Sequence, residues 1–290
     1  MRIAIATCAQ MPAGFQEDDL AADLDATWAV WDDPAVQWDA FDVVVVRSVW
    51  DADQRRDEFI DWTRRIAGGT RLLNPPDVLE WNTDKRYLAE LPAVGLPTVP
   101  TRFLAPGQPL RPEALEALGD PDEFVVKPAQ SAGSRDTARF VTRDGLDGAA
   151  ALTARIQGAG KVAMVQPYLQ SVDTHGETAL LYFGGAYSHA IGKGQILQAG
   201  AEPFTGMAAA DPAISVREPL RAERQLGDRV IAWLMTRFGT PLAYARVDLL
   251  DGPEGRPVVI ELELTEPQLY LSYAPSATDR LVSAIRALAR

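Results

Sequence analysis

Two short segments near the end of the chain, Ala245-Arg246-Val247-Asp248-Leu249-Leu250 and Val258-Val259-Ile260-Glu261-Leu262-Glu263-Leu264, set charged residues at every second position of otherwise apolar runs. A period of two is that of a β-strand, so Arg246 and Asp248 share one face of their strand, and Glu261 and Glu263 one face of theirs. If the strands pair, three carboxylates and a guanidinium lie on one surface. Burying such a set costs free energy unless a cation or partner charges compensate it, and carboxylate oxygens are hard donors of the kind Mg²⁺ takes. A solvated outer face is the other reading; the strongly apolar neighbours favour the metal.

Further upstream, the strand-like run Phe124-Val125-Val126 ends in Lys127 and passes into Pro128-Ala129-Gln130-Ser131-Ala132-Gly133-Ser134. Small residues such as Ser131, Gly133 and Ser134 expose backbone N–H groups and hydroxyls that can fold over phosphates while an ammonium neutralises them. The order is not that of a Walker loop, where the lysine follows the glycines, and one Gly is too few for a dinucleotide turn, so a polar turn after a strand stays open as the plain alternative. A third group is Val165-Gln166-Pro167-Tyr168-Leu169, followed by Asp173, His175 and Glu177. Proline after a strand frees backbone groups that can pair with a base edge, and a nearby acid can take ribose hydroxyls. His175 and His189 are too few and too far apart for a histidine metal site and read as surface or internally satisfied side chains.

These residues need elements to hold them. Arg2 to Thr7, Phe41 to Arg47 and Thr70 to Asn74 read as buried strands, and the spacing over Asp18 to Trp31 and over Gln54 to Ala67 predicts helices between them. Alternating strand and helix gives a small parallel α/β domain over residues 1–93. Ligands on such sheets gather at the carboxyl ends of strands, which makes Arg47 and Ser48 candidate substrate contacts, with a capped turn around a solvated arginine as the equal alternative. Pro75-Pro76 interrupts the pattern, and Asn82 to Leu91 reads as a capped helix. Residues 94–167 form a compact α+β unit of short strands and two helices, suited to a mobile lid. In residues 168–290, Thr178 to Phe183 and Ala186 to Ile191 flank Gly184-Gly185 as a hairpin, and Leu242 to Leu250 with Pro257 to Leu264 make a second pair. Leu220 to Phe238 and Ala277 to Leu288 are helical, and Gln195 to Val216 is a long loop of the kind that is often functional.

Composition narrows the class. The 290 residues, 47% hydrophobic, suffice for two or three packed layers without staples. No apolar run approaches the roughly 20 residues of a membrane span, and the opening Met1 to Ala6 is too short for a signal-peptide core. A single cysteine, Cys8, excludes an internal disulfide and a cysteine zinc cluster. The expectation is a soluble cytoplasmic protein that spans no membrane, with a homo-oligomer left open. A net charge of −12 argues against nucleic acid as partner and for a small substrate. There are 24 arginines but only four lysines, Lys85, Lys127, Lys161 and Lys193. In such a chain a lysine marks a place where a compact point charge is wanted rather than a planar fork, with codon bias as the even alternative.

Taken in order from Lys85 to Glu263, these pieces resemble the ATP-grasp superfamily, and Val126-Lys127-Pro128-Ala129, Ser131-Ala132-Gly133-Ser134, Gly176-Glu177-Thr178 and Ser188-His189-Ala190 resemble its glutathione-synthetase-like branch. The resemblance implies an ATP-grasp fold: an N-terminal parallel α/β domain, a central lid and a C-terminal antiparallel-sheet domain. It implies that Lys85 and Lys127 contact ATP phosphates or adenine under the loop Gln130 to Ser134. Gln166, Tyr168 and Leu169 become the adenine hinge and Asp173 the ribose-binding acid. Asp248, Glu261 and Glu263 become Mg²⁺ ligands, Arg246 stands at the reacting phosphoryl or acyl oxygens, and Lys193 reaches the γ-phosphate. Two departures, a loop poor in glycine and Glu263 where asparagine is frequent, bear on the number of Mg²⁺ ions and the pose of the lid. The implied activity is that of a Mg-ATP-dependent ligase, which activates a small amino-acid-like carboxylate as an acyl phosphate for attack by a nitrogen. That nitrogen comes from a second, amine substrate or from the same molecule, as in closure of O-ureido-serine to D-cycloserine. A kinase and a nucleotide-binding module without turnover are the competing classes; the complete carboxylate set speaks against the module.

Overall fold

The computed structural model describes residues 1–15, 19–203, 205 and 213–290 and forms three sheets in succession. The first is parallel. β1 (Ile3–Thr7) leads through a single helical turn, α1 (Ala21–Leu24), to β2 (Ala26–Val30), then β3 (Val43–Ser48), α2 (Arg56–Ala67) and β4 (Arg71–Leu73), in the order β2-β1-β3-β4. The valines of β3 alternate: Val44 and Val46 pack on Phe59, Ile60, Trp62 and Ile66 of α2, while Val43 and Val45 pack on Leu20, Leu24 and the C-terminal helix residues Leu281 and Ile285. A sheet covered on both faces has no polar side to alternate with, which is why β3 reads as an unbroken apolar run. Cys8 is buried in the same core as Val44 and Val46.

The helix expected over Asp18 to Trp31 is not formed; Asp18 itself lies outside the described residues. Asp25 adopts φ +51° and ends α1 after one turn. Thr27, Trp28 and Val30, residues that suit a pleated surface, then pair with β1 in parallel register. The next helix also differs from expectation. It begins at Pro76, whose missing N–H is no loss in a first turn, and runs as α3 (Pro76–Asn82), followed by a 3-10 turn at Lys85–Ala89 that Asp84 caps. Val78, Tyr87, Leu88, Leu91 and Leu96 pack with Val247 and Leu262 of the C-terminal part. This packing joins the last part of the expected 1–93 unit to the C-terminal sheet.

The middle of the chain is an antiparallel sheet, β5-β8-β6-β7, made by β5 (Arg102–Leu104), β6 (Glu123–Pro128), β7 (Ala138–Val141) and β8 (Ala163–Pro167), with α4 (Pro112–Glu116) and α5 (Leu146–Gly158) closing its core. A short α6 (Ser171–His175) precedes the third sheet. Its strands β9 (Glu177–Phe183), β10 (Ala186–Lys193), β11 (Ile214–Val216), β12 (Tyr244–Asp251) and β13 (Pro257–Glu263) lie in the order β11-β10-β9-β12-β13. The two expected strand pairs thus share one sheet, because β9 bonds to β12 as well as to β10. α7 (Arg221–Phe238) covers one face through Leu226, Val230 and Leu234, and α8 (Ala277–Leu288) fills the other, where it meets the first sheet. The stretch Gln195 to Val216 contains β11, and residues 204 and 206–212 within it lie outside the described residues. No described helix is long and apolar enough to cross a membrane.

Asn74 sews the first sheet to the third. At φ +57° its amide donates to the carbonyls of Tyr244 (3.0 Å) and Leu264 (2.7 Å), and its oxygen accepts from the Ala243 N–H (2.8 Å). Asn82 and Tyr87 cover the free edge of β13, bonding to both backbone groups of Leu262 and to the Leu264 N–H. An uncovered edge would leave these groups unpaired.

Candidate active site

Residues of the central and third sheets, with Trp50, Ala52 and Asp53 from the segment after β3, line a cavity of about 350 Å³. Its charged wall follows from strand register: across β12 and β13, Arg246 stands opposite Glu263 and Asp248 opposite Glu261. Arg246 forks onto Asp248, Nε to Oδ1 at 2.9 Å and Nη2 to Oδ2 at 2.9 Å, and also pairs with Glu263. Lys193, the last residue of β10, gives Asp248 another donor at 2.7 Å and pairs with Glu177, the first of β9. Gly176 makes that junction possible, since at φ +69° a Cβ there would lie 2.4 Å from the Lys193 carbonyl oxygen. Lys85 reaches Glu261 Oε1 at 3.1 Å and the Ser131 carbonyl at 2.6 Å, tying β13 to the small-residue loop.

These charges set one another. Burial works against ionised Asp248, but Arg246 and Lys193 outweigh it and hold the carboxyl far below the usual carboxylate range. Burial also opposes the charge on Lys85 and Lys193. Glu261 holds the first above the ordinary lysine value, and Asp248 with Glu177 holds the second there. Lys127 differs: burial, with Lys85 and Lys193 beside it, pulls its pKa down despite Glu261 and Glu177. Among the described residues no hydrogen bond or ion pair engages its ammonium, which leaves it available to an anion.

The small-residue loop lies across the cavity from the carboxylates. Gly133 and Ser134 adopt φ +59° and +58°, and both line the cavity with Ser131 and Ala132. Asp53 anchors the loop by accepting from the Ala132 N–H (3.3 Å) and from the Arg135 guanidinium. Lys161 is accounted for here, since its ammonium donates to the carbonyls of Gln130 (2.9 Å) and Asp53 (3.3 Å). The floor beside β13 is the irregular segment Thr265 to Leu269, whose five successive carbonyls each accept from a different side chain. Tyr244 Oη takes Thr265 (2.9 Å), Trp50 Nε1 takes Glu266 (3.1 Å), and Arg47 Nη2 takes Pro267 (2.8 Å). Arg246 Nη1 takes Gln268 (3.1 Å) and His189 Nε2 takes Leu269 (3.1 Å).

Among the described residues no three Asp, Glu, His or Cys side chains stand together as a ready-made metal cage. What β12 and β13 present is carboxylate oxygen on one wall, each group balanced by a lysine or arginine. That fits Mg²⁺ carried by a nucleotide, because this ion keeps waters and takes one or two carboxylates plus phosphate oxygens.

Known proteins resemble this chain in sequence and fold. Residues 3–74 match the family described as D-cycloserine synthetase DcsG, N-terminal domain. Over 267 residues the chain is 37% identical to the cycloserine biosynthesis protein DcsG of Streptomyces lavendulae, covering 88% of this chain and 86% of that protein. The chain belongs to the DcsG family. The crystal structure of D-cycloserine synthetase DcsG, 33% identical, superposes with a TM-score of 0.90 over the full length of both chains. A D-alanine–D-alanine ligase from Bacillus anthracis, complexed with ATP, superposes with a TM-score of 0.69 at 16% identity, covering 100% of this chain and 97% of that one, which is a likeness of fold alone. As a DcsG-family member with the ATP-grasp fold, the chain is an ATP-dependent ligase.

Of the residues singled out from the sequence, Lys85, Lys127, Ser131, Gly133, Ser134, Gln166, Tyr168, Leu169, Lys193, Arg246, Asp248, Glu261 and Glu263 all line this DcsG-family cavity. Three do not. Asp173 lies outside the lining, where Arg139 of β7 donates to both its oxygens at 3.2 Å and Tyr168 Oη to one of them at 2.5 Å. Arg47 is buried over the Tyr244 ring and bonded to Pro267, and Ser48 Oγ accepts from the Phe15 N–H, so both make internal contacts outside the cavity lining. Asp53 and Glu266 line the cavity and were missed. Each is a single acid in an irregular segment, where no periodicity marks the direction of a side chain. His189 is the internally satisfied histidine expected, and His175 is exposed near Asp251.

Proposed function

We propose that the protein binds Mg-ATP in this cavity, activates the carboxylate of O-ureido-serine as an acyl phosphate, and closes it to D-cycloserine, a step of antibiotic biosynthesis. The observation that carries this reading is the full-length likeness to D-cycloserine synthetase, at a TM-score of 0.90. The site's own groups support the chemistry. Lys127 with an unengaged ammonium, Lys85 and Lys193 would neutralise phosphate oxygens, and the loop Ser131 to Ser134 would cover them. Gln166, Tyr168 and Leu169 would border the base. Mg²⁺, held by Asp248, Glu261 and Glu263 with the phosphates, would supply charge neutralisation at the transferring phosphoryl group.

Arg246 forks onto Asp248 with fixed geometry, so its guanidinium is oriented before any substrate enters and can stabilise charge developing on the phosphoryl or acyl oxygens. In the ring closure the oxygen-bound nitrogen attacks the acyl carbon and phosphate leaves. The carbamoyl group must then depart from that nitrogen with water. Holding nucleophile and acyl phosphate in one molecule replaces a bimolecular encounter, and closure of the unit at 94–167 as a lid would keep water from the intermediate. The test is to incubate the purified protein with Mg-ATP and O-ureido-D-serine and to follow ADP, phosphate and cycloserine by mass spectrometry. ADP release that requires a separate amine would replace the cyclo-ligase with a two-substrate ligase, and a stable phosphorylated product would indicate a kinase.

A further inference from the structure

Two carboxylates that line the cavity are not among the groups assigned above to nucleotide or metal. The Asp53 side chain is 7% exposed. Its Oδ2 accepts from Arg135 and from the Ala132 N–H, whereas Oδ1 is buried and accepts from nothing among the described residues. Asp53 lines the cavity, so this oxygen has a ligand side. Glu266 lines the same cavity, and no hydrogen bond or ion pair among the described residues takes its carboxyl. Its backbone is held rigidly: Trp50, Arg47 and Tyr244 bond the carbonyls of Glu266, Pro267 and Thr265. Glu266 feels the neighbouring acids. Burial, Glu263 and then Asp53 push Glu266 up to about 8, with Lys85 opposing.

The distribution of charge points to what is missing. Lysines and Arg246 supply positive charge and donors where phosphates and a reacting carboxylate would lie, while Asp53 Oδ1 and the Glu266 carboxyl offer acceptor oxygens that no donor among the described residues takes. A buried carboxylate oxygen without a donor is unfavourable, and an ammonium brings three N–H donors with a compensating charge. We propose that Asp53 Oδ1 and Glu266 form the subsite for the α-ammonium group of the substrate, so that the enzyme selects amino acids over carboxylates that lack the amino group. This assignment rests on the ligase reading above. Because the other oxygen of Asp53 anchors the loop Ser131 to Ser134, one carboxylate touches both the amino-acid and the phosphate halves of the site.

Calorimetry on the full-length enzyme, loaded with Mg²⁺ and a non-hydrolysable ATP analogue, tests the subsite without turnover. The probes are O-ureido-D-serine and 3-(ureidooxy)propanoate, which differ only in the amino group. The wild type should bind the first at least about tenfold more tightly. Glu266→Gln and Asp53→Asn should each bring the ratio to within about threefold of unity, with nucleotide affinity showing that the variants are folded. If Asp53→Asn fails to fold because the Arg135 contact is weakened, Glu266→Gln, whose carboxyl has no internal partner, decides alone. A ratio near one in the wild type, or equal losses for both probes in the variants, overturns the subsite. If O-ureido-D-serine neither binds nor drives ADP release, the ring-closure reading fails instead. The ratio is then taken with D-serine against 3-hydroxypropanoate, and absence of a preference there overturns the subsite as well.

Discussion

The end of β3 and the paired strands β12 and β13 each bury an arginine among apolar neighbours, Arg47 at 2% and Arg246 at 5% exposure, and use it in opposite ways. Arg47 lies 4.9 Å over the Tyr244 ring and donates to the Pro267 carbonyl, neutral partners within the protein. Arg246 faces Asp248 and Glu263, whose oxygens a metal ion can share and whose charge a phosphate can displace. Burial therefore does not separate a structural charge from a chemical one; the chemistry of the partner does. Carbonyls and ring faces hold a guanidinium in place, while carboxylates leave it part of a site that can be rearranged.

The largest effect that would sharpen this contrast lies on the carboxylate side. Glu261→Gln keeps shape but removes a charge from the wall of β13, and turnover should fall at least about 10³-fold with the fold intact by circular dichroism. Full activity in that variant would end the metal assignment. Arg47→Ala probes the other side. Loss of the ring contact and of the bond to Pro267 should lower unfolding stability by about 2–3 kcal/mol in urea, while the KM for ATP stays within about twofold of wild type. An unchanged midpoint with a raised KM for the carboxylate would place Arg47 with the substrate, and the two arginines would no longer differ in kind.

His189 belongs with Arg47, since it holds the last of the five carbonyls of the segment Thr265 to Leu269. Burial, with Arg280 nearby, lowers its pKa from the usual 6.5 to about 4 despite the bond to Leu269. The unfolded chain then binds the proton more readily than the folded one between those values, so the stabilising contribution is full above pH 6.5 and is lost as pH falls towards 4. Roughly 2–3 kcal/mol should disappear over that range. Carboxylates titrate there as well, so the measured quantity is the difference between the wild type and His189→Gln, and equal slopes would show that this histidine does not report on the segment.

How much of this could be read beforehand depends on periodicity. The charges of β12 and β13 were legible because alternation fixes which residues share a face, and register then brought Asp248 opposite Glu261. Lys127 and its loop were legible as a strand running into small residues. Asp53 and Glu266 lie where the chain follows no period, and only tertiary contacts through Arg135 and Trp50 aim them. The pairing of Asp173 was hidden for a related reason: its partner Arg139 comes from a strand distant in sequence, so nothing local signals the ion pair. β2 was mistaken for helix because Thr27, Trp28 and Val30 gain more from pairing with β1 than local spacing reveals.

The smallest expected effect compares the two loops that border the cavity. Lys127 to Arg135 is held by Asp53, Lys85 and Lys161, through side chains that belong to other parts of the chain, and among the described residues no acceptor is seen for the N–H groups of Gly133 and Ser134. A nucleotide would supply those acceptors and join the central sheet to the third, as expected of a lid over residues 94–167. The segment from Leu262 to Leu269 is already secured: Tyr87 and Asn82 take the N–H groups of Leu262 and Leu264, and five side chains take the carbonyls that follow. Amide exchange followed by mass spectrometry, with and without Mg²⁺ and a non-hydrolysable ATP analogue, should therefore slow by about tenfold or more across Lys127 to Arg135. Across Leu262 to Leu269 it should change by less than about twofold. Equal protection of both segments would mean that the floor is no more preformed than the lid, and unchanged exchange across Lys127 to Arg135 would remove the lid.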